Sequence, residues 1–293
     1  MKHNIHLLLQ AVKKECEQIC SLIDITPFAS GVENCVFSAT TEEWGTVVIR
    51  VPWVRTEVNG EIESRKGLEK EYELTKLCYA QGLPAPKIYA FHKSDRVDFI
   101  IQAFIAHEEN VVILNEEIGS FTYRLHNIEP STTSFLQNAH HVLPHRIVER
   151  TKAAEQVLGH RLPIPEPSEL ESIFQAFPTK NRLLHLDIRP ENLIFGKKGI
   201  KAVFDWTNAM IGDPVLELMR IKVYGYLNEE FVKGYTPFRS EMDRVPDLVK
   251  WLYQYDTTVM LTLLFLTELD DHKQGEEARN RLLDLHRKIK MNV

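Results

Sequence analysis

At 293 residues, 44% hydrophobic and 26% charged, the chain is long enough to bury a large core and has the composition of a globular protein. A formal net charge of -6 argues against a general nucleic-acid binder, whose surface must be basic to meet phosphates. The 4 cysteines are too few for a disulfide scaffold at this length, so Cys16, Cys20, Cys35 and Cys78 read as reduced, mostly buried thiols of a cytoplasmic protein. The apolar run Ile5 to Leu9, which follows Met1-Lys2-His3-Asn4, is too short for a signal-peptide core. No stretch reaches the roughly 18 apolar residues expected of a membrane span.

Leu7, Leu8, Val12, Cys16, Ile19, Cys20 and Ile23 recur at helical spacing and predict an opening amphipathic helix. From Phe28 the pattern changes. Cys35-Val36-Phe37 and Thr46 to Val51, joined by the polar turn Thr40 to Gly45, predict a hairpin. A charged helix over about Lys66 to Gln81 follows, ended by Gly82 and the breaker Pro84-Ala85-Pro86. The strand-like runs Lys87 to Phe91 and Val97 to Phe104 close the first third. Beyond about Ile105 the chain reads as mainly helical, apart from a β-rich insert at Leu193 to Phe204. Within that part the apolar stretch Val259 to Leu266, closed by Glu268, Asp270 and Asp271, reads as a buried helix. The expected class is α+β with two lobes: residues 1–104 as a small β-rich lobe with one main helix, and residues 105–293 as a larger, mainly helical lobe. A ligand is expected in the cleft between such lobes.

The segment Leu183 to Phe195 carries the chemistry. His185-Leu186-Asp187-Ile188-Arg189-Pro190-Glu191-Asn192 has the form H-x-D-x-x-x-x-N, flanked by apolar runs that can anchor a loop. In a kinase catalytic loop the Asp accepts the proton of the attacking hydroxyl and the Asn binds magnesium. Phosphoryl transfer is mainly positioning and charge neutralisation, so one loop must present both a base and an oxygen ligand. Further on, Ala202-Val203-Phe204-Asp205-Trp206 reads as a buried strand ending in a carboxylate. Asn192 and Asp205 brought together would supply the hard oxygen ligands that suit Mg²⁺.

These residues, with Gly212-Asp213-Pro214 and Glu217-Leu218, resemble the aminoglycoside phosphotransferase family, small-molecule kinases related to protein kinases. The resemblance implies a two-lobed protein-kinase-like fold, with a nucleotide-binding first lobe and a catalytic, acceptor-binding second lobe. It implies Asp187 as catalytic base, Asn192 and Asp205 as magnesium ligands, and Asp213 as an acid that holds the catalytic loop. Gly31-Val32-Glu33-Asn34-Cys35-Val36-Phe37 is similar to the family's nucleotide loop, and Val47-Val48-Ile49-Arg50 to the strand whose basic residue meets the phosphates. Glu71 is the best match for the acidic partner of Arg50, with Glu73 a rival. Gly31, Asn34, Arg50, Glu71, Gln102 and Phe104 form the expected nucleotide set, for ATP or GTP with Mg²⁺ as co-substrate. The sequence departs from the family pattern in three places. Leu186 stands where the family loop has Gly. Arg50 replaces a common Lys, keeping the charge but not the shape. Glu217 replaces an Asp. Arg189 takes the Lys position of the protein-kinase loop, within reach of a γ-phosphate.

Other residues read more plainly. His185 braces the loop rather than catalysing, since the adjacent Asp supplies the base. His140, His141 and His145 lack partners at metal-ligand spacing. The acidic run Glu268 to Asp271 is a solvated helix end, or else the lining of a pocket for a cationic acceptor. The expected reaction is transfer of a γ-phosphoryl group to a hydroxyl of an antibiotic, aminoglycoside- or macrolide-like, or of a related metabolite, without a nucleic-acid or membrane partner. A protein kinase and a non-catalytic nucleotide binder are the alternatives. Against the first, only 7 residues separate Asp205 from Asp213, too few for a long activation segment. Against the second, base and metal ligands are all present.

Overall fold

The structure, a computed structural model, describes residues 5–30, 34–52, 61–108, 111–129 and 136–293. It divides into two compact units, Met1–Ile113 with Pro190–Thr207, and Leu114–Arg189 with Asn208–Val293. The architecture is α+β, an antiparallel sheet near the N-terminus followed by a larger helical part.

The first unit opens with helix α1 (Ile5–Cys16) and strands β1 (Leu22–Ser30), β2 (Asn34–Thr41) and β3 (Gly45–Pro52). Helix α2 (Glu61–Ala80) and strands β4 (Ile88–His92) and β5 (Phe99–Ala103) follow. The sheet order is β1-β2-β3-β5-β4, antiparallel throughout. Side chains alternate across a strand, and the inward set here is Cys35, Phe37 and Ala39 of β2, Val47, Ile49 and Val51 of β3, and Phe99 and Ile101 of β5. Val12 and Cys16 of α1 close this core. Burying each Val, Ile or Phe stabilises by about 1.5–3 kcal/mol, so the face is held firmly in register. Arg50 and Gln102 are out of phase with that inward set and are nonetheless buried. Helix α2 meets β3, β4 and β5, and its buried positions Leu68, Glu71, Leu74, Thr75 and Cys78 follow helical spacing.

The predicted opening helix is shorter than its periodicity suggests. It stops at Cys16, and Leu22–Ser30 pairs with β2 instead of continuing the helix. The β-favouring Leu22, Ile23, Ile25, Thr26 and Phe28 gain a ladder that a lone helical turn could not offer. Pro27 is tolerated because β1 is an edge strand, with a register shift between Pro27 and Ala29. Helix α2 begins at Glu61, ahead of the predicted Lys66.

The second unit contains helices α3 (Asn115–His126), α4 (Ala139–Leu158) and α5 (Pro167–Gln175) and the short strand β6 (Arg182–Leu184). The β-rich insert forms the hairpin β7 (Leu193–Gly196) and β8 (Gly199–Val203), which belongs to the first unit. The second unit resumes with β9 (Met210–Gly212), paired antiparallel to β6, and helices α6 (Pro214–Tyr224) and α7 (Glu229–Gly234). Helices α8 (Phe238–Arg244), α9 (Asp247–Leu263) and α10 (His272–Lys290) complete it. Helix α9 meets α4, α6 and α10 and buries Asp256 entirely. Arg146 Nη2 donates to Asp256 Oδ2 at 2.7 Å and Arg150 Nη1 to Oδ1 at 2.9 Å. The stretch Val259 to Leu266 is helical as predicted but only partly buried beyond Thr262, where the helix widens into a π turn over Leu264–Glu268. Helices α3 and α7 touch backbone to backbone at two glycines. A Cβ at Gly119 would overlap the Phe231 carbonyl, and one at Gly234 the Glu116 carbonyl. Among the described residues no helix is long and apolar enough to cross a membrane.

Candidate active site

In the first unit the sheet and the β7–β8 hairpin bring the basic and oxygen-bearing residues together. Arg50, projecting from β3, meets Glu71 of α2 at 2.9 Å. The same guanidinium lies 3.6 Å from Asp205 Oδ1. Glu71 is in phase with the buried stripe of α2 whereas Glu73 is not, so Glu71 is the acid that faces Arg50. A pair this buried gains strength from low dielectric but leaves a costly charge behind if either partner is lost.

Asp205 follows β8 with φ +66, a left-handed conformation that non-glycine residues adopt at a cost. Its Oδ1 accepts from Thr207 Oγ1 at 2.7 Å. Asn192 ends a 3-10 turn, Pro190–Asn192, immediately before β7. The Phe204 N–H donates to the Asn192 carbonyl at 3.0 Å, so Asn192 and Asp205 flank the open end of one hairpin. The Val203 N–H donates to the Pro84 carbonyl at 2.9 Å, tying β8 to the Pro84-Ala85-Pro86 turn. An amide and a carboxylate at adjacent strand ends are hard oxygen donors that fit a magnesium ion. Groups of three or more His, Cys, Asp or Glu that could hold a metal are absent among the described residues.

The remaining nucleotide-set residues are spread over the sheet. Gln102 is buried on β5 opposite Val48, Asn34 opens β2 opposite Pro52, and Phe104, just past β5, makes an edge contact with Phe28. Gly31 lies outside the described residues.

In the second unit β6 delivers His185-Leu186-Asp187. The amides of His185 and Leu186 donate to Glu217 Oε2 and Oε1 at 3.2 and 2.6 Å. Glu217 is itself fixed by His126 Nε2 at 2.9 Å, and His126 Nδ1 by the Tyr235 hydroxyl at 2.8 Å. The Asp187 amide donates to His185 Nδ1 at 3.2 Å, so that ring nitrogen is the acceptor and the proton of a neutral ring sits on Nε2. Leu186 has φ +61. A glycine would take that conformation freely; here the two bonds from the turn to Glu217 and the burial of the Leu186 side chain hold it in place.

Asp187 is buried, and its Oδ1 accepts from the Tyr224 hydroxyl at 2.9 Å. Arg189 Nε stands 3.3 Å from the same oxygen. Asp213, expected to hold this loop, caps α6 through the Val215 amide and accepts from the Lys180 amide and Arg244. The amides of His185 and Leu186 go to Glu217. Burial works against the charge of Arg244, yet Glu241 and Asp213 hold it above its ordinary value.

Sequence reading passed over His126 as a holder of Glu217, and missed Tyr224 and Arg220 altogether. Glu217 was visible only as a substitution for Asp. The longer side chain is what reaches two successive amides of the loop. Arg220 had one legible signal, a charge inside the otherwise apolar run Val215 to Val223.

The first unit thus bears Arg50, Glu71, Asn192 and Asp205, and the second bears Asp187. Solved structures agree in fold. A thermostable mutant of aminoglycoside phosphotransferase APH(4)-Ia, in ternary complex with ADP and hygromycin B, is similar at TM-score 0.60 and 14% identity, over 94% of this chain and 97% of that one. APH(2")-IIa with streptomycin and ATP is similar at 0.55 and 19%, over 86% and 89%. ADP-bound APH(2'')-Ib is similar at 0.57 and 18%, over 94% and 98%. Comparison with curated proteins by sequence gives no match. The chain belongs to the phosphotransferase enzyme family, whose model matches residues 24–242.

Proposed function

We propose that this chain transfers the γ-phosphoryl group of Mg-ATP, or Mg-GTP, to a hydroxyl of a small molecule, with Asp187 as the base. The observation that carries the reading is Arg50, ion-paired to Glu71 and 3.6 Å from Asp205. In this reading Arg50 would meet a nucleotide phosphate beside Asp205 as a ligand for the metal. Asn192 and Asp205 would hold the magnesium ion. When bound, that ion would neutralise charge on the phosphate oxygens. Arg50 would take a nucleotide phosphate, held in orientation by Glu71.

Asp187 would accept the proton as the acceptor oxygen bonds to the γ-phosphorus and the bond to the β–γ bridging oxygen breaks. Arg189, next to Asp187, would offset charge gathering on the moving phosphoryl group. The acceptor is an aminoglycoside- or macrolide-like antibiotic or a related metabolite, a class supported by the aminoglycosides bound in the similar structures.

Replacing each carboxylate by its amide separates the roles. Asp187→Asn keeps size but cannot take the proton, so kcat should fall by ~10²–10⁴ with Mg-ATP affinity nearly unchanged. Asp205→Asn removes a charge from the metal site, so the magnesium requirement should rise and nucleotide binding weaken. Calorimetry with Mg-ATP beside turnover of a trial aminoglycoside reads both. Equal loss of nucleotide affinity in the two variants would overturn the division of roles.

A further inference from the structure

Tyr224 ends α6, and its hydroxyl bridges two charged groups. It accepts from Arg220 Nε at 3.0 Å and donates to Asp187 Oδ1 at 2.9 Å. The polarity of this chain is fixed by chemistry. A guanidinium has no acceptor, so the phenol receives on that side and must spend its single proton on the carboxylate.

Arg220 is 3% exposed, a buried cation with a structural anchor but no role in the reaction proposed above. Its Nη2 reaches Met260 Sδ at 3.6 Å, and its guanidinium lies 5.7 Å from the centre of the Tyr224 ring. Arg220 is thus held from α9 and from its own helix, and it holds the Tyr224 oxygen in turn. The Tyr224 hydroxyl hydrogen-bonds Asp187 Oδ1, and Arg189 Nε lies 3.3 Å from the same oxygen, so that oxygen is approached by two groups.

We propose that Tyr224 is a positioning residue for phosphoryl transfer: its hydroxyl, polarised by Arg220, locks Asp187 in the rotamer that presents the carboxylate to the acceptor hydroxyl. The proposal rests on the reading of Asp187 as base. A charge-assisted hydrogen bond from a donor on a packed helix is the kind of support that keeps a reacting group within a narrow range of angles. Burial and the Asp187 carboxylate push the Tyr224 phenol above its ordinary range, although Arg220 pulls the other way. Burial opposes the charge of Arg220, yet Tyr224, Asp187 and Asp256 together raise it above its ordinary value. The proton therefore stays on the phenol and the charge on the guanidinium.

Tyr224→Phe keeps the ring and its packing while removing the bridge. Phosphate release from Mg-ATP, with water as acceptor, needs no identified substrate. In that assay kcat should fall about 10- to 100-fold while KM for Mg-ATP stays within about twofold. A double-mutant cycle decides how Tyr224 acts. In an Asp187→Asn background the added Tyr224→Phe should cost nothing further in kcat, because the group it positions is already lost. An additive loss, or a rise in KM matching the fall in kcat, would overturn the proposal.

The bridge can also be read without turnover. The phenolate absorbance lost in Tyr224→Phe reports Tyr224, and its titration should move down when Asp187→Asn removes the neighbouring charge. A titration unmoved by that change would also overturn the proposal. If the wild type releases no phosphate to water, the same kinetic comparison is made on turnover of a trial aminoglycoside, with the same expected and overturning results.

Discussion

Leu186 shows how one residue holds two opposed demands. Its φ of +61 costs about 1–2 kcal/mol relative to a right-handed conformation. Its side chain is 1% exposed, and removing a buried leucine costs about 2–5 kcal/mol. Packing outweighs strain, so Leu186→Gly should lower stability by a net ~1–3 kcal/mol despite relieving the backbone. Because the turn's amides still reach Glu217, Mg-ATP affinity should stay near wild type while chemical denaturation shifts to lower denaturant. A more stable glycine variant would show that strain, not burial, dominates at this position.

At the scale of elements, two contacts depend on the absence of a side chain. Helices α3 and α7 close on each other at Gly119 and Gly234, where an added Cβ would meet backbone rather than a side chain able to turn away. Gly119→Ala and Gly234→Ala should each destabilise by about 1–3 kcal/mol through overpacking, although alanine is the better helix former at both positions. Thermal melts of the two variants check this, and an unchanged midpoint in either would mean the helices separate freely. Legibility at this scale followed pattern strength. Strands β2, β3 and β5 stand out as short β-rich runs between turn residues, and the proposed catalytic segment carries its spacing in one run of sequence, so both could be located directly. The boundary at Cys16 could not, because Ile19, Cys20 and Ile23 continue the helical period while the backbone turns and pairs with β2. Glu71 over Glu73 was decidable from phase alone, since only Glu71 shares the stripe of Leu68, Leu74, Thr75 and Cys78. The bridge from Arg220 through Tyr224 to Asp187 was hidden, because Tyr224 lies far from Asp187 in sequence and no motif marks it.

For the molecule as a whole, response to acid follows from its buried charges. Burial pushes the Asp256 carboxyl up, but Arg146, Arg150 and Arg220 outweigh it and hold the group below its ordinary value of 3.8. Glu241 is likewise held below 4.5, its burial outweighed by Lys180 and Arg244. For depressed carboxylates the stabilisation is complete above the ordinary value and is lost as pH falls through the folded one. Unfolding midpoints should therefore hold steady down to about pH 4–5 and drop below it. Asp256→Asn should flatten that drop and cost about 3–5 kcal/mol at neutral pH, since three arginines then face one another. An acid limb as steep as that of the wild type would place the sensitivity elsewhere. The first compact unit is discontinuous, being Met1–Ile113 joined by Pro190–Thr207, and this bears on how the protein is made. A chain leaving the ribosome N-terminus first presents Arg50 and Glu71 long before Asp205 exists. Until the segment up to Thr207 emerges, the Pro84 carbonyl lacks the Val203 amide and Arg50 lacks its second carboxylate. A product of early termination would carry β3 and α2 without the hairpin that completes them, so the proposed hold on Mg-nucleotide would be gained late in translation.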